Sequence, residues 1–440
     1  MKSLLFSYKD TCQVSENEFD SVLKKIESEL QKIAQARLTR YESVYASINL
    51  PNDYRVHAKI IELADKKKKL KISSIVVIGI GGSNLGAMAI YEALYGQDYN
   101  EQKCDIKVYW ADSIDSDYIN NIFQSLEKEL ENDREILLNV ISKSGRTTET
   151  IANFQIFLEL LRRYRPHNYN EFVVVITDQG SPLWRLAEKN QFDRLSIPEN
   201  VGGRYSVFSA VGLFPLALLG LDIKKLVDGA QYMVEQSSSS TFYENPAAII
   251  AGLLYVSYRK NIYISDLFLF SKDLQSVGMW FRQLLAESIG KECDIQGNSV
   301  NVGITPTVSI GTTDLHSMAQ LHLGGPNNTF TMFVSIKNNK SRLSVPFSKE
   351  PEQLLSNING KSLSVIMNAT LNGVQQAYFE KKRPYASVVI PKKDEWYIGQ
   401  FLQMNMIAVM YLGYLLKVNP FDQPEVELYK KETRKILSYE

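Results

Sequence analysis

Ile136-Leu137-Leu138-Asn139-Val140-Ile141 runs straight into Ser142-Lys143-Ser144-Gly145-Arg146-Thr147-Thr148-Glu149-Thr150, and the reading of that junction decides the fold. The first six residues are an apolar run of strand length. Beyond the polar stretch, Ile151, Phe154, Phe157, Leu158 and Leu161 recur at helical spacing. A buried strand therefore opens through a hydroxyl-rich loop into a helix N-terminus. A loop in that place offers an anion backbone N–H groups, several hydroxyls and one ammonium, with the helix dipole adding to the attraction. The same residues would serve equally as a polar connection whose threonines cap the helix. Both readings give strand, loop and helix in that order.

The same grammar occurs upstream. Ser74-Ile75-Val76-Val77-Ile78 reads as a strand that ends in Gly79-Ile80-Gly81-Gly82-Ser83-Asn84-Leu85-Gly86, with an apolar helix from Ala87 to Leu94 after it. A dinucleotide-binding reading fails on two details. Asn84 stands where GxGxxG needs its third glycine, and the acid ending the next strand, Asp112, lies about thirty residues on rather than about twenty. A P-loop fails because Ala87 follows Gly86 where a lysine is required. What remains is a glycine loop that lets backbone and the Ser83 hydroxyl approach a small polar ligand. Further strands at Ile106–Trp110 and Phe172–Ile176 complete an alternation that implies a parallel sheet covered on both faces. Two ligand-competent loops at the carboxyl ends of its strands point to one cleft.

The rest of the chain repeats this pattern between helical ends. From Ser15 to Ile48, apolar residues at Val22, Leu23, Ile26, Leu30 and Ile33 define an amphipathic N-terminal arm, expected on the first domain. The run Lys66 to Lys69 reads as a solvated helix end. After the polar interval Glu235–Ser240, strands at Ile262–Phe270, Thr329–Val334 and Ala386–Ile390 with helices between them imply a second parallel-sheet domain. Trp396 to Leu416 is apolar but interrupted by Gln400, Gln403 and Asn405, and reads as a buried helix rather than a membrane span.

A chain of 440 residues exceeds what one core usually holds, in keeping with two domains. Lys+Arg and Asp+Glu both number 49, which argues against a broadly basic nucleic-acid binder. Cys12, Cys104 and Cys293 are odd in number, far apart and form no CxxC pair, so neither a disulfide framework nor a zinc site is expected. The apolar run near Met1 is too short for a signal peptide, and a cytoplasmic protein without membrane partners is expected. His316 and His322 are at the wrong interval for two metal ligands on one helical face, so no metal is expected.

Three further segments carry chemistry. Glu287 follows the apolar helical segment Trp280–Ala286, and Gly290 would end that helix. A carboxylate at such an end can be partly desolvated, as a general base requires. It could equally form an exposed Glu287–Lys291 pair worth about 0.2–0.5 kcal/mol. Arg204, in Val201-Gly202-Gly203-Arg204-Tyr205-Ser206, offers a positive fork beside two glycines, or a surface ion pair. In Asn419-Pro420-Phe421-Asp422-Gln423-Pro424-Glu425-Val426-Glu427-Leu428-Tyr429-Lys430, Pro424 starts a last helix that carries Lys430.

Taken in order, these pieces resemble the glucose-6-phosphate isomerase (phosphoglucose isomerase) family over nearly the whole chain. The carrying motifs are GIGGSNLG at 79–86, SKSGRTTET at 142–150, VGGRYS at 201–206, ESIGK at 287–291, the His316 segment and NPFDQPEVELYK at 419–430. Each motif alone is weak, but together in register they are specific. The resemblance implies an α/β fold of two SIS-type three-layer α/β/α domains with mainly parallel sheets. Residues 1–50 would be an N-terminal helical arm, 51–235 and 236–394 the domains, and 395–440 a helical tail packing back over the active site. The implied activity is the reversible aldose–ketose isomerisation of glucose 6-phosphate and fructose 6-phosphate in glycolysis and gluconeogenesis, without a cofactor. Activity on mannose 6-phosphate and a non-catalytic sugar-phosphate sensor are the alternatives.

Residue roles follow from the same resemblance. Ser142, Lys143, Ser144 and Thr147 would bind the phosphate, and Ser83 and Gly82 would line the sugar side. Arg204 would stabilise the enediolate, and Glu287 would move the proton between C2 and C1. Gln283 and Gln423 would contact substrate. His316, contributed by the neighbouring subunit of a homodimer, and Lys430 would open the ring, with Glu149 near that end. Two letters depart from the family: Arg146 where a threonine or other small residue is usual, and Glu425 in place of a glycine.

Overall fold

In the computed structural model, which describes residues 3–102, 104–239, 242–347 and 356–438, the alternation of apolar runs becomes two separate sheets. The chain begins with strand β1 (Leu5–Ser7), helix α1 (Glu16–Ala36) and helix α2 (Tyr54–Lys68). Strands β2 (Ile72–Ile78), β3 (Lys107–Ala111), β4 (Glu135–Ile141), β5 (Val173–Thr177) and β6 (Asp193–Ser196) form the first sheet. It is parallel throughout, in the order β3-β2-β4-β5-β6. Helices α3 (Leu85–Tyr95), α4 (Ser116–Glu131), α5 (Thr148–Tyr164) and α6 (Pro182–Lys189) connect its strands. Ile75 to Ile78, Ile136 to Leu138 and Val173 to Ile176 are fully buried, as central strands under helices on both faces must be.

Helices α7 (Ala210–Leu218), α8 (Ile223–Gln236) and α9 (Pro246–Arg259) lead to the second half. There the chain forms β7 (Ile264–Phe270), α10 (Gln275–Ile289), the short antiparallel pair β8 (Lys291–Cys293) and β9 (Ser299–Val302), and β10 (Thr305–Ile310). Helix α11 (Ala319–Gly324), β11 (Thr329–Asn338), α12 (Leu363–Glu380) and β12 (Tyr385–Lys392) follow. The second sheet runs β1-β12-β11-β7-β10, parallel except for β1. The chain then closes with α13 (Glu395–Leu415) and α14 (Val426–Leu437).

The N-terminal arm belongs to the second sheet, not the first domain as expected. Leu5, Phe6 and Ser7 pair with Val389, Val388 and Ser387, and Thr11 Oγ1 donates to the Tyr385 carbonyl at 2.8 Å. The backbone edge of β12 would otherwise be open, and β1 satisfies it. The stripe Phe19, Val22, Leu23, Ile26, Leu30 and Ile33 is buried, because α1 packs on α9 and α13. A capping box at Ser15 and Glu18 starts this helix.

Helix α13 is the central element, lying against α8, α9, α10 and α1. Its three polar interruptions are all fully buried. Gln400 Oε1 accepts from the Leu4 backbone N–H at 3.3 Å, and Asn405 Nδ2 donates to the Phe401 carbonyl at 2.8 Å. Among the described residues no helix is long and apolar enough to cross a membrane. Only the chain beyond α13 has the character of a tail. Helix α14 has no buried residue, and Leu428 is 70% exposed.

Candidate active site

The loop after β4 is shaped by its glycine and its hydroxyls. Gly145 has φ +65°, and a Cβ there would lie 2.8 Å from Leu183 Cβ, so only glycine fits. Ser142 Oγ and Thr147 Oγ1 are 2.8 Å apart, one donating to the other. Thr147 is the N-cap of α5, yet its side chain makes no capping bond. The threonine-cap reading thus fails for Thr147, and the first-turn N–H groups of α5 have no capping side chain from it. Thr177 Oγ1, at the end of β5, donates to the Ser142 carbonyl at 2.6 Å and fixes the loop from behind. Ser144 is exposed, its Oγ accepting from the Arg146 N–H at 3.3 Å. The Lys143 ammonium turns away from the loop face and donates to the carbonyls of Glu199 and, at 3.0 Å, Val201. Glu149 is half-buried in the first turn of α5, and Arg146 is exposed.

The glycine loop after β2 sits beside this one, because β2 and β4 are neighbours in the sheet. A Cβ on Gly82 would fall 2.2 Å from the Gly203 carbonyl carbon and 2.6 Å from the Arg204 nitrogen. Glycine is therefore needed at Gly82 so that two stretches of backbone can touch. Ser206 Oγ bonds both, donating to the carbonyls of Gly82 at 3.3 Å and Gly203 at 2.8 Å. The two residues that broke the dinucleotide pattern bind one another: Asn84 Nδ2 donates to Asp112 Oδ2 at 3.1 Å. Burial pushes the Asp112 carboxyl up, and the Asn84 hydrogen bond opposes it. Ser83 is half-buried at the open side of the loop.

Helix α10 carries Gln283 and Glu287 one turn apart, and packs on α3 and on the segment Gly203–Tyr205. Glu287 Oε1 accepts from Gln283 Nε2 at 3.1 Å, and Oε2 lies 3.4 Å from Arg204 Nη1. Gln283 also faces the other loop, since a Cβ on Gly81 would meet its Nε2 at 3.0 Å. The Glu287 side chain is 34% exposed, whereas that of Arg204 is 1% exposed. A surface ion pair is therefore excluded for Arg204. Its Nε donates to Ser288 Oγ at 2.7 Å, and Nη1 to Gln423 Oε1 at 2.7 Å. Nη2 donates to the carbonyls of Pro420 at 2.6 Å and Asp422 at 2.9 Å. Tyr205 OH reaches Ser288 Oγ at 3.1 Å, and burial pushes its phenol up.

The exposed Glu287–Lys291 side-chain pair does not form. Lys291 is buried and donates instead to the Glu287 backbone carbonyl at 2.6 Å. Ser288, Tyr205 and Asp422 were not singled out from sequence, although all three lie inside the quoted motifs, and Lys291 entered only as half of a surface pair.

Two expected participants stand outside this cluster. His316 is exposed after the helical turn Thr313–Leu315, and its imidazole makes no hydrogen bond or ion pair among the described residues. Lys430, on α14, is 40% exposed and pairs with Glu427 at 2.8 Å. Gln423, by contrast, is held on Arg204. Among the described residues no group of three or more His, Cys, Asp or Glu side chains is arranged to hold a metal ion. A cavity of about 1070 Å³ lies beyond the tail root between Tyr45, Tyr255 and Tyr414, and shares Lys291, Pro420 and Asp422 with the cluster just described.

The sequence model of the family described as phosphoglucose isomerase matches residues 59–439. A glucose-6-phosphate isomerase of Carboxydothermus hydrogenoformans is 31% identical over 385 residues, covering 86% of this chain and 82% of the relative. One of Lactococcus lactis subsp. cremoris is 31% identical over 446 residues, covering 99% and 96%. Among solved structures, a hypothetical protein of Thermus thermophilus superposes with a TM-score of 0.86 at 28% identity, covering 99% of each chain. A glucose-6-phosphate isomerase of Chlamydia trachomatis superposes at 0.85 with 22% identity over 100% of this chain and 89% of that one, a likeness of fold.

Proposed function

The chain belongs to the phosphoglucose isomerase family, and from that premise we propose how its cleft interconverts D-glucose 6-phosphate and D-fructose 6-phosphate. The observation that carries the reading is the pair of donors on one carboxylate: Gln283 Nε2 at 3.1 Å from Oε1 of Glu287 and Arg204 Nη1 at 3.4 Å from Oε2. Such a carboxylate is held in one orientation, with a permanent cation beside the position where charge develops.

The substrate phosphate sits on the loop from Ser142 to Thr147, held by the hydroxyls of Ser142, Ser144 and Thr147 and by the open amides at the start of α5. Lys143 braces that loop against Glu199 and Val201, and its charge adds to the field from behind. Ser83 and the Gly82 backbone line the sugar side. His316 of the partner subunit in a homodimer and Lys430 of the tail open the ring, with Glu149 facing that end. Lys430 reaches the substrate as the tail closes over it, leaving its partner Glu427.

In the open chain, Glu287 removes the hydrogen on C2 as a proton. The electron pair left behind becomes the C1–C2 double bond, and the former aldehyde oxygen takes the negative charge, which Arg204 stabilises. A hydrogen moves from O2 to O1, and Glu287 returns its proton to C1, leaving a ketone at C2. No net redox change occurs and no electron leaves the substrate. Binding the remote phosphate sets the carbons against the base, so that binding energy lowers the barrier to proton transfer. A cytoplasmic location is part of the same reading, supported by three cysteines that are all unpaired.

The test is Glu287→Gln, assayed with fructose 6-phosphate in a coupled assay. Turnover should fall by at least about 10²–10⁴-fold, the usual worth of a positioned base, while fructose 6-phosphate still binds through the loop. Near-normal turnover in that variant would sink the assignment.

A further inference from the structure

Helix α10 ends in an unusual way. Gly290 donates to the Ala286 carbonyl at 3.0 Å and then leaves the helix with ψ 102°, which sends Lys291 back over the last turn. The Glu287 carbonyl is one of the four that a helix end leaves without an amide partner. The Lys291 ammonium fills that vacancy at 2.6 Å, a favourable place for a cation on the helix dipole. Its side chain is only 4% exposed, so the charge has been taken out of water and needs partners on more than one side.

The second partner lies on the tail. Lys291 Nζ donates to the Asp422 carbonyl at 3.1 Å and lies 3.8 Å from Asp422 Oδ1. That same carbonyl also accepts from Arg204 Nη2 at 2.9 Å. Two cations thus share one backbone oxygen at the tail root, and each also touches Glu287, Arg204 at its carboxylate and Lys291 at its carbonyl. Burial and the neighbouring Arg204 hold the Lys291 ammonium below the usual lysine range. Such crowding of like charge is costly and persists only where the surrounding structure requires both groups.

The two cations have different duties. Arg204 also holds Gln423 and the Pro420 carbonyl, and it faces the position where enediolate charge would develop, so its bonds to the tail must yield when substrate is present. Among the described residues the Lys291 ammonium donates only to the Glu287 and Asp422 carbonyls, and it borders the cavity beyond the tail root. We infer that Lys291 is a positioning residue that clamps the root of the C-terminal tail to the end of the base-bearing helix, so that the tail stays engaged and Glu287 stays aimed while Arg204 attends to the substrate. The inference rests on the isomerase reading above.

The experiment compares Lys291→Met, Lys291→Arg and Asp422→Asn with the unmodified chain and with Glu287→Gln. Activity is measured with fructose 6-phosphate, binding with inorganic phosphate, and tail order by hydrogen exchange over residues 420–430. Lys291→Met should keep phosphate affinity within about threefold, because the anion loop is untouched. It should lose roughly ten- to hundredfold in kcat, the usual cost of a small misplacement, and exchange at 420–430 should rise. Lys291→Arg, which keeps a cation in reach of both carbonyls, should recover most of kcat. Asp422→Asn keeps the carbonyl that Lys291 uses and removes only the carboxylate at 3.8 Å, so it should lose clearly less kcat than Lys291→Met, and an equal loss overturns the carbonyl clamp. Wild-type kcat in Lys291→Met overturns the inference, as does a loss of kcat with unchanged exchange in the tail. If Lys291→Met fails to fold, the arginine variant decides: full kcat with an ordered tail supports the clamp, and a folded variant with low kcat and an ordered tail overturns it. Glu287→Gln separates the two levels. An active Glu287→Gln removes the isomerase reading itself, whereas an inactive one beside a normal Lys291→Met removes only the clamp.

Discussion

Arg146 is the letter in the loop proposed to hold phosphate that family resemblance does not explain. Its side chain is exposed and makes no hydrogen bond or ion pair among the described residues. An exposed cation near a bound phosphate acts through a field that salt screens within about 10 Å. Arg146→Thr should therefore change the inhibition constant for inorganic phosphate by less than about threefold near 0.15 M salt, with a larger effect at low salt. A tenfold loss at that ionic strength would mean that the guanidinium touches the phosphate. Residue type alone left Glu287 and Arg204 an ordinary reading as surface charges. Only the resemblance of their motifs to the family grouped them with Gln283, and the three do lie together. Lys291 looked like half of a surface pair, since spacing four apart says that two side chains can meet but not which atom the ammonium will choose. Only the turn at Gly290 sends it to a carbonyl. Gly82 was likewise legible as a close approach, but the thing approached is Gly203 as well as any ligand.

At the scale of elements, the long apolar strands and the helix Glu395–Leu415 could be read directly, because their patterns leave no alternative burial. The short ones could not. β1, β8 and β9 have three or four residues each, and they exist because a neighbouring edge or loop receives them. The same is true of where α1 docks: its stripe says that it packs, and the partners α9 and α13 come from later in the chain. The start of α1 makes a test of its own. Glu18 accepts from the Ser15 N–H at 2.9 Å and from Lys260 Nζ at 3.0 Å, and these bonds lower its carboxyl to about 2 from the ordinary 4.5. A carboxyl lowered on folding stabilises fully above its unfolded value and loses that contribution as pH falls toward the folded one. The stability difference between the native chain and Glu18→Gln should be constant above pH about 4.5 and shrink to nothing near pH 2. Denaturant titrations at several pH values measure it, and a difference at pH 2 as large as at pH 6 contradicts the assignment.

For the molecule as a whole, the two sheets and α13 form a body that the last helix does not help to hold. Helix α14 buries nothing, while Pro420, Asp422 and Gln423 just before it are fastened to Arg204. A chain ending at Gln423 should unfold within about 2 °C of the full one and should lose at least about 10²-fold in turnover, because Lys430, proposed to open the ring, goes with the helix. Calorimetry and the coupled assay read the two effects separately; a drop of 10 °C or more would make α14 part of the structural frame.

The pairing of β1 with β12 also sets an order of events during synthesis. Leu5–Ser7 leave the ribosome well before Ser387–Val389, the residues that will receive them. At about 5–20 residues per second the interval is roughly 20–80 s. The first sheet, complete by Ser196, can assemble during that time, whereas the amphipathic face of α1 must wait for α9 and is fully covered only when α13 emerges. The nascent chain therefore carries an incompletely covered apolar stripe for most of its translation. A binding factor that shields Phe19 to Ile33 on the ribosome would help this protein more than one that shields any strand of the first sheet.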